Sequence, residues 1–429
     1  MKYLLSITFI CFSYIRFATS SFCYWNTACS YRYFSSVTPY SAVRGDIRDS
    51  VINIKECEPV SIWGLFRHGR THPAAKRAGK MKEAISIRDL VVSSYEKGRC
   101  SLCAQDIDNL RDWPVNYDLF EKTNALQDEG YQDMFGIGYR LKTVFPQFLD
   151  KLEHESYLFK PSDHHWSKES AEAFVKGLGS QNLVIDNQKI LNGPDFIFND
   201  GIDSSQKEDE SIDEANEYTI SSEFLAANDR IQRRLGIDYS LTDDNITALY
   251  DLCRYSWSGL HNKASPWCAL FTTEDLKVLE YIEDLVHYYK NGYGRKNASQ
   301  FGHKPLQDLL QKFQRAKEGK GNIITAYFIL AETLEATFTA LGWFKDSQPL
   351  TAVQKGRDRF WRTSKFSAFS SNLFMVLNRC TNKDVTDYHV MFYMNEEPLR
   401  SVCEGGICSW GEFERILSPF LNSTQRYSD

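Results

Sequence analysis

The 429-residue chain has no surplus of positive charge: 50 Lys and Arg face 56 Asp and Glu, a formal net charge of −6. A general nucleic-acid binder normally shows the opposite balance, so that class is excluded, while a local basic pocket for a small anion is not. Beyond residue 20 there is no run of about 18 apolar residues, so no membrane span is expected in the processed chain. There is no internal repeat, no C-terminal retention signal of the KDEL type, and no second Cys-x-x-Cys to partner Cys100 and Cys103. The last absence argues against zinc, and neither a metal nor another cofactor is expected. What is present is a globular composition: 42% apolar, 14% aromatic and 25% charged residues. Such a length predicts two or three domains with cores large enough to make disulfides a reinforcement.

Residues 1–20 read as a cleavable secretory leader, with Lys2 before an apolar stretch and Ala18-Thr19-Ser20 at the cut. Losing Lys2 and Arg16 with it takes the charge from −6 to −8 and leaves ten cysteines, an even number that fits up to five disulfides in an oxidising compartment. Cys403 and Cys408 bracket a short Glu-Gly-Gly-Ile loop suited to one of them. Asn245, Asn297 and Asn422 open glycosylation triplets. The expected destination is outside the cell or a lysosome-like branch of the secretory pathway.

Residues 51–66 alternate and then turn continuously apolar, predicting a buried strand that runs into Arg67-His68-Gly69 and a basic helix over 74–83. Further strands are expected at 322–330, 373–377 and 388–393, and helices at 124–141, 272–290 and 332–341. Residues 203–217, nearly without apolar side chains, read as an exposed loop. Strands near both ends with helical patterns between them predict an α/β fold interrupted by an inserted helical domain.

Phe66-Arg67-His68-Gly69-Arg70-Thr71-His72-Pro73 resembles the Arg-His-Gly signature of the histidine phosphatase superfamily, whose longer acid-phosphatase form is Arg-His-Gly-x-Arg-x-Pro. Residues 126–130 with 138–140, 265–271, 290–294 and 331–333 with 341–346 are similar to the multiple inositol polyphosphate phosphatases of animals. The resemblance implies a histidine-phosphatase-like sheet core over 57–165 and 315–429, an N-terminal segment 21–56 and a mainly helical cap over 166–314. It also implies phosphomonoester hydrolysis through a phosphohistidine at His68, with Glu332 as proton donor and Arg67 on the phosphate.

Three positions depart from that pattern. The signature's second arginine falls at Thr71, with Arg70 one residue early. The second histidine, expected directly before Ala331-Glu332, is Leu330. The arginine four residues before Ser170-Ala171 is Trp166, beside His165. Losing one transition-state donor costs about 2.7–4 kcal/mol, so these changes predict an impaired enzyme that acts by binding. The expected ligand is a phosphorylated small molecule, such as an inositol phosphate, or another small ligand in a more apolar pocket. An active phosphatase in which Arg70 and His165 substitute for the missing groups, and a purely structural protein, are the competing expectations. Arg70, Lys76, Arg77, Lys80 and Lys82 form a basic cluster that reads either as a solvated helix face or as a rim attracting a polyanion.

Overall fold

The computed structural model describes residues 30–146, 152, 156–179, 183–186, 208–257, 264–356, 358–382 and 385–421; the leader, Cys23, Cys29 and Asn422 lie outside them. The centre is a mixed sheet. Strands β1 (Cys57–Arg67), β2 (Tyr157–Pro161), β3 (Ile324–Ile329), β4 (Asn372–Asn382) and β5 (Val385–Met394) lie in the order β2-β3-β1-β4-β5. A two-residue strand, Glu397–Pro398, continues the sheet beyond β5, and another, Cys408–Ser409, also pairs with β5. The β2–β3–β1 half is parallel and the β1–β4–β5 half antiparallel.

From Ile62 to Phe66 β1 carries no polar side chain, because both of its faces are covered there. Trp63 and Leu65 enter one core, with Ile329 and Leu373, while Ile62 and Phe66 enter the other, with Phe174, Phe328 and Phe374. On the second face lie α2 (Asp128–Val144) and α3 (His165–Gly177), and their Met134, Ile137 and Phe174 are fully buried. On the first face lies α8 (His303–Lys317), whose Asp308 accepts from Trp63 Nε1 at 2.7 Å and from Tyr327 Oη at 2.9 Å. The stretch expected to form the cap therefore begins and ends with helices that pack on the sheet, because their apolar faces match it.

Between them run α4 (Glu208–Thr219), α5 (Ser222–Leu235), α6 (Asp243–Ser256) and α7 (Thr273–Asn291). α4 corrects the loop expected at 203–217 for the residues described there. Ala215 and Tyr218 are buried, and Tyr218 meets the Tyr281 ring edge-on at 4.9 Å. Two apolar anchors suffice to dock an otherwise acidic helix. α6 and α7 each start with a capping box, at Thr242/Asn245 and Thr272/Asp275, which satisfies amide groups left free at a helix start. Asn245, a glycosylation acceptor by sequence, spends its side-chain oxygen on that cap.

Cys57 and Cys380 face each other across β1 and β4 and are joined, as are Cys253–Cys268 and, closing the expected short loop, Cys403–Cys408. Cys103 is also disulfide-bonded, whereas Cys100 is a free thiol. Among the described residues no helix is long and apolar enough to cross a membrane.

Candidate functional site

The three parallel strands deliver their following segments to one edge. β1 ends at Arg67 and passes into the His68 loop, β2 leads into α3, and β3 leads into α9 (Ala331–Ala340). Arg67 pairs with Ile329 in register, and His68 N–H donates to the Ile329 carbonyl at 3.1 Å, so the loop holding His68 runs beside Leu330 and the start of α9. Neither α3 nor α9 has a side-chain cap, and the first-turn amides at such helix starts favour an anion.

The His68 loop is clamped by the first turn of α2 and the second turn of α3. Gly69 N–H donates to Ser170 Oγ at 3.0 Å. A Cβ on Gly69 would lie 2.4 Å from the Gly130 carbonyl oxygen, and one on Gly130 would lie 2.2 Å from Arg70 N, so both positions need glycine for the backbones to approach. On the other side Ser370, buried and in the left-handed region at φ 58°, donates its N–H to the His68 carbonyl at 3.1 Å. A non-glycine residue held there is strain the surroundings must support.

His68 itself is 7% exposed. Its Nδ1 lies 2.8 Å from the Gly69 carbonyl, which only accepts, so Nδ1 carries the proton and Nε2 keeps a free lone pair. Burial first, and then the Arg67 charge, push its pKa down to about 3, leaving the ring neutral. A neutral imidazole with a fixed tautomer is a competent nucleophile.

Arg67 is buried, with Nη1 donating to the carbonyls of Ser36 and Ser367 at 2.5 Å each. Burial pulls its pKa below the ordinary arginine value, and the carboxylates of Glu335 and Glu332 oppose that. Its guanidinium lies 4.7 Å from the centre of the Phe369 ring, and the Arg70 guanidinium lies 5.9 Å from the same ring, which also meets His68 at 5.9 Å. Arg70 is fully enclosed and mostly engaged. Its Nε donates to Gln127 Oε1 at 3.1 Å and lies 3.5 Å from Glu129, while Nη2 donates to the Arg254 and Tyr255 carbonyls at 2.7 and 3.3 Å. Arg67 Nε and Arg70 Nη1 are buried donors with no hydrogen-bond partner among the described residues. Such donors are costly unless an acceptor reaches them.

Trp166 meets the His68 ring edge-on at 6.2 Å. His165 is exposed and its ring touches Trp166 at 4.9 Å, so the structure brings it beside the tryptophan and not against His68. Glu332 sits in the first turn of α9, with its side chain 31% exposed and Lys290 Nζ 3.9 Å away. Of the basic cluster, Arg77 is paired with Asp251 and Glu283 and Lys80 with Asp244, so these two tie the helix Ala75–Ala84, α1, to α6 and α7. A cavity of about 1090 Å³ lined by Tyr33, Lys277, Glu280, Arg359, Arg362 and Lys365, among others, includes none of the residues above.

The sequence reading missed Glu335 and His287. Glu335 is fully buried one turn after Glu332, and His287 Nδ1 meets its Oε2 at 2.9 Å. No motif surrounds His287; only its spacing of four from Glu283 on a helical face set it apart.

A neutral histidine thus stands at the end of a parallel strand, directly after a buried arginine whose charge is felt by the helix-borne Glu332 and Glu335. The chain belongs to the histidine phosphatase superfamily (branch 2), whose family model matches residues 61–395. Among its relatives is multiple inositol polyphosphate phosphatase 1 of Drosophila melanogaster, 30% identical over 89% of this chain and 84% of the relative. The Homo sapiens protein of the same name is 27% identical over 86% and 82%. Among solved structures, the phytase from D. castellii superposes with a TM-score of 0.71 at 16% identity, covering 94% of this chain and 90% of that one. The Bifidobacterium longum multiple inositol polyphosphate phosphatase, in complex with inositol hexasulfate, gives 0.65 at 14% identity, covering 92% and 99%. These likenesses agree with the α/β fold expected from the sequence.

Proposed function

We propose that the chain is a secreted phosphomonoesterase-fold protein that binds an inositol phosphate or a similar phosphomonoester at Arg67 and His68 and hydrolyses it slowly. The observation that carries this reading is the His68 ring: buried, neutral, and fixed with Nε2 as the free base. Nε2 attacks phosphorus, the P–O bond to the leaving alcohol breaks, and Glu332 gives that oxygen its proton. Water, giving a proton back to the Glu332 carboxylate, then attacks phosphorus, breaking the P–N bond and restoring His68. Arg67 and the amides at the start of α9 offset charge on the phosphoryl oxygens, and the partnerless donors of Arg67 and Arg70 support an acceptor entering between them. The slow rate follows from Leu330 beside the His68 loop, Trp166 against the ring, and an Arg70 side chain already committed elsewhere. The helices α4 to α7 form the cap in this reading, and His165 contributes at most a charge at the rim. The disulfides Cys57–Cys380, Cys253–Cys268 and Cys403–Cys408 and the exposed Asn297 support a secretory route.

The test is phosphate release from an aryl phosphate and from inositol hexakisphosphate between pH 4.5 and 7.5, with His68→Ala as control, in the span of about pH 5–8 where histidines act. The expected outcome is weak release that His68→Ala removes. Release unchanged in His68→Ala contradicts the assignment of the nucleophile.

A further inference from the structure

His287 lies outside every motif, yet a continuous set of contacts ties it to the residue before His68. Arg67 Nη1 donates to the Ser367 carbonyl at 2.5 Å. Ser367 Oγ donates to Glu335 Oε1 at 2.6 Å, and Glu335 Oε2 meets His287 Nδ1 at 2.9 Å. Asn291 Nδ2 donates to the same Oε2 at 2.7 Å. Glu335 is therefore held by three side chains at zero exposure, while the His287 side chain keeps 17%. Among the described residues no group takes His287 Nε2.

The charges around His287 come from several elements. Glu283 and Lys290 share α7 with it; Glu332 and Glu335, three residues apart, occupy one face of α9. The Glu283 carboxylate is already matched by Arg254 of α6 at 2.9 Å and Arg77 of α1 at 3.5 Å, and Lys290 lies 3.9 Å from Glu332. Glu335 has no arginine or lysine in salt-bridge contact among the described residues, so His287 is its direct counter-ion. Burial works against the imidazolium, but the carboxylates outweigh it and raise the pKa.

We infer that His287, carried on the cap helix α7 and oriented by Glu335, supplies the imidazolium that the phosphate pocket lacks at Leu330. This rests on the phosphate-pocket reading above. A histidine on α7 reaches Glu335 in the second turn of α9 at 2.9 Å, whereas Leu330 directly precedes that helix. The charge then belongs to the cap and not to the strand end, and its presence depends on pH.

The test uses inositol hexasulfate, whose charge is constant across the range studied, titrated calorimetrically from acid to mildly alkaline pH. Wild type is expected to lose affinity about tenfold as the imidazolium deprotonates, the scale of one charge-assisted hydrogen bond. His287→Asn is expected to bind with the wild type's alkaline affinity at every pH. Glu335→Gln, which removes the counter-charge and keeps a hydrogen-bonding side chain, moves the midpoint down by about one unit or more. Arg67→Ala weakens binding at all pH values. If His287→Asn keeps both the affinity and the slope while Arg67→Ala loses affinity, this inference is wrong and the pocket stands. No binding by wild type, or none that Arg67→Ala weakens, overturns both. Should His287→Asn fail to fold, the midpoint shift in Glu335→Gln decides: a shift supports the inference and an unmoved midpoint overturns it.

Discussion

At the scale of the residue, His68 shows how a backbone carbonyl and burial prepare a nucleophile. The Gly69 carbonyl fixes the tautomer, and burial with Arg67 keeps the ring uncharged to about pH 3. The same shift has a thermodynamic sign. The unfolded ring takes a proton near pH 6.5 and the folded ring near 3, so its contribution to stability is full above 6.5 and is lost as pH falls towards 3. The neighbouring glycine has a different duty. Because an added Cβ on Gly69 runs into the Gly130 backbone at 2.4 Å, Gly69→Ala should destabilise the fold by about 1–3 kcal/mol, measured by chemical denaturation. Unchanged stability would mean that α2 yields freely. The sequence offered Arg67 and His68 through the Arg-His-Gly run and Glu332 through the separate resemblance at Ala331-Glu332-Thr333, each a few neighbouring residues. It could not show that Arg70 is enclosed by Gln127, Glu129 and two carbonyls of α6, since those partners lie 57 to 185 residues away.

At the scale of the element, strands and helices with strong apolar periodicity were legible. The strand expected to end at 66 ends at Arg67, and the helix expected over 272–290 is Thr273–Asn291. Elements with few apolar residues were not. α4 buries only Ala215 and Tyr218 among the residues whose burial is described, a pattern too sparse to read before α7 is in place. The Gly-Tyr-Arg run in α2, noticed as part of a resemblance, has a structural duty. Arg140 grips the fully buried Glu396 with two hydrogen bonds of 2.6 Å, and Tyr40 Oη donates to the same carboxylate at 2.8 Å. Glu396 and Asn395 both stand at positive φ in the turn after β5, so the ion pair pins α2 to that turn. Arg140→Ala should cost about 3–5 kcal/mol, since it leaves a buried carboxylate without its cation. Arg140→Met with Glu396→Leu should recover much of that loss in the same denaturation experiment. A single variant as stable as wild type would show the pair to be dispensable.

At the scale of the whole molecule, the acidic balance noted at the outset coexists with a site whose cations are few and buried. Arg67 and Arg70 sit around one phenylalanine, while Arg77 and Arg254 are spent on Asp251 and Glu283. No general positive field supports the proposed pocket, so on that reading each cation missing at Thr71 and Trp166 counts in full. The measurement that tests this account most directly is the rate of phosphate release from inositol hexakisphosphate by Leu330→His/Thr71→Arg, compared with wild type. Because one restored transition-state donor is worth about 10²–10³ in rate, the folded double variant should gain at least about tenfold, and the gain should vanish with His68→Ala. A folded double variant no faster than wild type, or a wild type already turning over at the about 10 s⁻¹ typical of enzymes, would contradict it.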